Sequence, residues 1–257
     1  MINRFWESSY MSTHASSGRQ WTKTEINRLI VEDQFHLRGL EVTRLDTFVD
    51  AAFAFVLTLL VISFDEIPSN YADMTVAAKR IPAFAASFAM LMVFWLRHRR
   101  WSRRYGLENS ETILLSVALI LVVLVYVYPL RVIFELLFSS ISGGYLATSF
   151  EIETYDEARG ILVFYSGGVL ALSLLFNQLY RATLRGSTSL ALNKIELRVT
   201  KVNMQVWTLV ASFALLSILL ALVVPDAWVS VAGYMYFALF ALMPIPSFLD
   251  RRRNAEK

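Results

Sequence analysis

The sequence predicts an all-α polytopic membrane protein with six transmembrane helices. Three observations carry that reading. Six apolar stretches, each near the roughly 20 residues that span about 30 Å of hydrocarbon, recur along the 257-residue chain. Charged residues make up only 18% of the chain, against about 25% in a soluble domain, and they sit almost entirely between those stretches. Basic residues concentrate in every second connection, as in a chain that crosses a bilayer back and forth.

Residues 1–40 are polar and mixed in charge, without the apolar core of a signal peptide, so the first apolar helix is expected to direct insertion. This N-terminal segment is expected to be cytoplasmic and partly disordered or amphipathic. Lys23–Leu40 has a helical rhythm in Ile26, Leu29 and Ile30, then Phe35, Leu37 and Leu40, which suits a short helix on the membrane surface. Met11 is an equally acceptable start. A six-helix transmembrane domain follows at 41–250, with spans at 47–64, 82–98, 112–138, 159–181, 203–224 and 228–248, and then a basic tail at 251–257. The third span either ends near Pro129 or runs past it with a kink.

Orientation follows from the loop charges. Arg97, Arg99, Arg100, Arg103 and Arg104 follow the second span, and Arg181, Arg185, Lys194, Arg198 and Lys201 follow the fourth. Arg251, Arg252, Arg253 and Lys257 follow the sixth. The opposite side holds only Lys79, Arg80, Arg131 and Arg159, among many carboxylates. Positive residues mark the cytoplasmic side, so both termini are expected inside.

Composition also excludes function classes. With no cysteine there is no disulfide framework, thiolate metal site or Cys nucleophile. Three histidines, His14, His36 and His98, do not suggest a metal centre. No Walker loop, H-E-x-x-H helix or serine elbow is present, so neither an enzyme nor a cofactor is expected. The net charge of +3 and pI near 9.2 point to the membrane surface rather than nucleic acid, because the basic residues flank apolar helices. Gly143-Gly144-Tyr145 lacks the flanking residues of a potassium filter and reads as a loop.

The first span is unusual. It opens with Arg44, Phe48 and Asp50, and Asp50 lies at the edge of the apolar run, where a carboxylate requires protein, water or a partner. Phe55, Leu59 and Ile62 follow at spacings of four and three, with Thr58 alongside, on one helical face. Ala51, Ala52 and Ala54 allow close helix approach.

This segment resembles the transmembrane protein 175 family of potassium channels, whose first helix carries Arg-x-x-x-Phe-Ser-Asp before a Thr-Leu-Leu core. Arg44, Phe48 and Asp50 match the motif, and Thr58, Leu59 and Leu60 match the core. Val49 stands where the family has Ser. The second span ends Phe94-Trp95-Leu96-Arg97-His98, similar to the family's aromatic-x-x-His ending. The resemblance implies a potassium-permeable homotetramer in a prokaryotic plasma membrane, with four copies of the first helix around one pore. It implies an apolar constriction at Phe55, Leu59 and Ile62 with a hydroxyl from Thr58, and a bracing role for Arg44, Phe48, Asp50 and His98. Asp50 is expected to brace neighbouring helices through Arg44 or His98. The alternatives are a proton-coupled transporter using Asp50 and His98, and a non-conducting membrane scaffold.

Overall fold

The computed structural model describes residues 20–62 and 68–229, together with Gly233, Met235 and Tyr236. Five helices among the described residues are long and apolar enough to cross a membrane. They are α2 (Arg44–Ile62), α3 (Tyr71–Tyr105), α4 (Ser110–Ile141), α5 (Tyr155–Arg185) and α6 (Lys194–Val223), preceded by a single turn, α1 (Lys23–Ile26). The sixth expected span, 228–248, and the tail at 251–257 lie largely outside the described residues.

Local chemistry sets where each helix begins. Thr43 and Asp46 exchange hydrogen bonds ahead of α2: the Asp46 amide donates to Thr43 Oγ1 at 3.1 Å, and the Thr43 amide donates to Asp46 Oδ2 at 3.3 Å. Asn70, Asn109, Thr154 and Asn193 cap α3 to α6 in turn, each accepting from the backbone amide three residues on. Four of these helices outrun the hydropathy-based spans because polar ends remain helical beyond the apolar part. The clearest case is α3, whose last turns carry Arg97–Arg104 before Gly106 stops it in the left-handed region at φ 56°. Proline does not end α4: Pro129 lies inside a helix that runs on to Ile141. Gly143 and Gly144, both at positive φ, form the turn after it.

The bundle is centred on α5 and α6, the most extensively packed pair, with α4 against α5 and with α2 and α3 against α4. Aromatic rings fill its middle. Phe176 stacks on Trp207 with centroids 4.2 Å apart, and Phe94 lies against both Phe176 and Tyr126. Several polar groups inside the bundle pair with one another. Asn177 donates to Thr208 Oγ1 at 2.7 Å, and Arg131 donates to Glu135 at 2.8 Å. The principal neighbours of α2 are α3 and α4, so it stands at the edge of the bundle.

The N-terminal segment departs from expectation. In place of an amphipathic helix through residues 23–40, a two-residue hairpin pairs β1 (Val31–Glu32) with β2 (Phe35–His36) antiparallel. Asp33 and Gln34 form its turn, both at positive φ, the arrangement that matches strand twist. The reason is the period of burial. Phe35 and Leu37 are both buried, two residues apart as an extended chain places them, whereas a helix would turn them to different sides. The hairpin docks on the arginine-rich end of α3, where the Gly39 amide donates to the Arg103 carbonyl at 3.0 Å, satisfying an orphan acceptor of the last helical turn.

Candidate pore-lining helix

Helix α2 has two contrasting faces. Val49, Phe53, Val56 and Leu60, spaced four, three and four apart, are buried against the bundle. On the other side Arg44, Phe48, Ala51, Phe55, Thr58 and Ile62 form an exposed stripe at the same helical repeat. Phe48, Phe55 and Ile62 are 55%, 56% and 70% exposed. Three of the four expected constriction residues, Phe55, Thr58 and Ile62, therefore share one face that no other described helix covers. Leu59 departs from it: it is half-buried and packs partly against the core. At 3.6 residues per turn, four residues advance the helix about 40° past a full revolution, which moves Leu59 from the Phe55 line toward the packed face. The Thr58 hydroxyl donates its proton to the Ala54 carbonyl at 3.0 Å. Its oxygen lone pairs remain available on the exposed side, the polarity a cation needs.

The motif residues are held differently from the expected arrangement. Asp50 is braced through Trp95 of α3, whose indole Nε1–H donates to Asp50 Oδ1 at 2.7 Å. Arg44 is exposed and has no carboxylate partner among the described residues. His98 is buried inside the bundle, with Nε2 2.9 Å from Ser116 Oγ of α4 and its ring beside Trp101. Asp50 and His98 thus have separate partners, and the expected bracing of Asp50 by Arg44 or His98 is replaced by an α2–α3 bond through Trp95. Physically, an indole reaches from the helix surface with one fixed donor, which suits a carboxylate at the membrane boundary. Val49, in place of the motif serine, is 1% exposed and packs into the core, so the lost hydroxyl is replaced by apolar contact.

Several positioning residues escaped the sequence reading. Asp46, besides capping α2, accepts from Ser102 Oγ of α3 at 2.6 Å, tying the start of the candidate pore helix to the arginine-rich end of its neighbour. Its signal was legible as Thr43-x-x-Asp46, a capping pattern immediately before an apolar run. The hairpin contributes a second fastening. Arg38 donates to Glu196 of α6 through both terminal nitrogens, at 3.1 and 2.9 Å, and through Nε to the Leu190 carbonyl at 2.9 Å. The backbone amide of His36 adds a donor to Glu196 at 2.8 Å. Nothing local in the sequence announces a pair 158 residues apart.

Comparison with known proteins assigns this arrangement to a family. Residues 44–129, from the start of α2 into α4, match the family described as endosomal/lysosomal potassium channel TMEM175. A potassium channel from Marivirga tractuosa is 33% identical over 220 residues, covering 81% of this chain and 87% of that protein. The chain belongs to the TMEM175 potassium channel family. The fold agrees across the bundle: a crystal structure of a single-residue variant of the potassium channel MtTMEM175, in complex with a nanobody–MBP fusion, superposes with a TM-score of 0.74. It is 29% identical and covers 88% of this chain and 99% of that one. The TMEM175 match includes the whole of α2, so both faces of that helix and the Trp95–Asp50 bond lie within the matched segment.

Proposed function

We propose that this multi-pass membrane protein is a potassium-permeable channel assembled as a homotetramer, with α2 of each protomer facing one central pore. The observation that carries the reading is the exposed stripe of α2. An edge helix that buries Val49, Phe53, Val56 and Leu60 inward presents Phe55, Thr58 and Ile62 outward. One helix cannot enclose a pore, and a closed cyclic ring is the economical way to supply several copies of the same face. Phe55 and Ile62 then meet their symmetry mates as narrow apolar rings, where a permeant ion sheds part of its water. The Thr58 oxygen, with its proton already donated to Ala54, supplies an acceptor between those rings. Membership of the TMEM175 family and the 33% identity to a bacterial potassium channel support potassium as the permeant ion.

The charge pattern supports both termini being cytoplasmic, and the similarity to a potassium channel of the bacterium Marivirga tractuosa supports a prokaryotic plasma-membrane location. A proton-coupled transporter working through Asp50 and His98 is disfavoured by their separate partners, Trp95 and Ser116. The test is reconstitution of the purified protein in planar bilayers, with potassium on one side and sodium on the other. Single-channel currents reversing near the potassium equilibrium potential are expected. Protein that is folded and inserted but carries no current would reject conduction, and a reversal potential near zero would reject potassium preference.

A further inference from the structure

The arginine-rich end of α3 is more than an orientation signal. Between it and the hairpin lies a cleft of about 170 Å³ lined by Glu32, Leu37, Leu96, Arg99, Arg100, Arg103 and Arg104. We propose that this cleft binds the phosphate of an anionic lipid headgroup. The inference does not depend on ion conduction.

Four guanidinium groups converge because Arg99, Arg100, Arg103 and Arg104 stand at i, i+1, i+4 and i+5 on consecutive turns of one helix. The carboxylates facing them are Glu32, on the cleft wall, and Asp33, 3.9 Å from Arg104. Arg100 and Arg103 have no carboxylate partner among the described residues. The other two are stacked: Arg99 lies over the Trp95 ring at 5.2 Å and Arg104 over the Phe35 ring at 4.9 Å. Stacking engages the flat face of a guanidinium and leaves its in-plane N–H donors free, the geometry that suits phosphate oxygens. Clustered cations that neither neutralise one another nor meet enough carboxylate call for an external anion.

Position within the membrane selects a lipid as its source. Exposed apolar residues of α3 continue through Phe88 and Val93 to Leu96, which is 47% exposed and itself lines the cleft. The arginines begin at the next turn. A ligand seated there meets apolar side chains on its bilayer side and guanidinium groups on its aqueous side, as a phospholipid does where acyl chains join the headgroup. Glu32 opposes a second carboxylate or phosphate on the same ligand, which favours a headgroup with one phosphodiester charge.

The test uses the purified full-length protein in neutral detergent, with retention of added lipid read by native mass spectrometry. The probes are short-chain phosphatidylglycerol, phosphatidylcholine of equal chain length and inorganic phosphate. Phosphatidylglycerol is expected to be retained over phosphatidylcholine, with inorganic phosphate failing to displace it at equal concentration. Each juxtamembrane arginine contributes about fivefold to such binding, so Arg100→Gln with Arg103→Gln should weaken it by roughly twenty-five-fold. Lys201→Gln, an exposed cation on another helix, should leave it unchanged. Glu32→Gln is a second reading that does not depend on the double variant folding, and it should tighten retention. Equal retention of the two lipids, or a double variant no weaker than Lys201→Gln, overturns the proposal. Failure of Glu32→Gln to tighten binding, or displacement by inorganic phosphate alone, overturns it as well, the last by showing a free-anion site.

Discussion

Replacing Arg38 with methionine tests what holds the hairpin to the bundle. The Arg38 and Glu196 side chains are 0% and 1% exposed, and they meet through two N–H···O bonds. Removing one partner of such a pair costs about 3–5 kcal/mol, because the other charge is left buried and uncompensated. The lower end applies here, since Glu196 keeps the backbone amides of His36 and Asn193 at 2.8 and 2.9 Å. About 3 kcal/mol is a factor near 150 in equilibrium. The protein has a cheaper escape than global unfolding: the hairpin detaches and water reaches Glu196. The effect should therefore concentrate in the amides of Leu37 and Gly39, which donate to the Ile30 and Arg103 carbonyls. Hydrogen exchange followed by peptide mass should show those amides exchanging at least 100-fold faster in Arg38→Met, with the centre of α5 unaffected. Adding Glu196→Gln should restore much of the protection, because no buried charge is then left unpaired. Unchanged exchange in Arg38→Met, or a double variant no better protected than the single one, would refute this reasoning.

Trp95→Phe and Asp50→Asn should each loosen α2 from α3, and a double-mutant cycle on thermal stability should give a coupling of about 1.5 kcal/mol, the lower end for a hydrogen bond to a charged group. Additive effects would show that the indole and carboxylate act independently. Gly39→Ala should destabilise the docked hairpin by about 1–3 kcal/mol, as overpacking does, because its new methyl would overlap the Ser102 carbonyl oxygen and lie 3.0 Å from Gly106 Cα. Limited proteolysis near residues 30–40 reads that change directly. Topology is accessible because the chain has no native cysteine: an impermeant maleimide applied to intact cells should label Glu151→Cys and leave Thr188→Cys unlabelled, and the reverse pattern would invert the orientation.

The cores of five spans were legible because uninterrupted apolar runs leave little choice of structure. Their ends were not, since hydropathy registers where polar residues begin, while Asn70 and Gly106 determine where α3 starts and stops. The contrast between Phe55 and Phe53 on α2 followed from helical period, whereas the simple spacing of four grouped Leu59 with Phe55 and passed over the advance of about 40° that turns Leu59 toward the packed face. The hairpin was not legible because Ile26, Leu29 and Ile30 do fit a helix, whereas the burial of Phe35 and Leu37 depends on partners far along the chain. Phe35 meets Tyr105 edge-on at 5.3 Å, and Arg38 meets Glu196. Asp50 was recognisable as needing a partner, but the two residues named for it were Arg44 and His98, and the choice of Trp95 is set by how α2 and α3 pack.

The claim that α2 lines the pore is tested most directly by single-channel recording from cysteine variants of this helix exposed to silver ions, which are small enough to follow potassium and bind thiolates tightly. Phe55→Cys, Thr58→Cys and Ile62→Cys place a thiol on the unpacked stripe, whereas Leu57→Cys places one on a side that packs partly against the core. The account predicts irreversible block at 55, 58 and 62 and unaltered current at 57. Block at 57 equal to that at the other three, or conducting channels insensitive to silver at all of them, would contradict it.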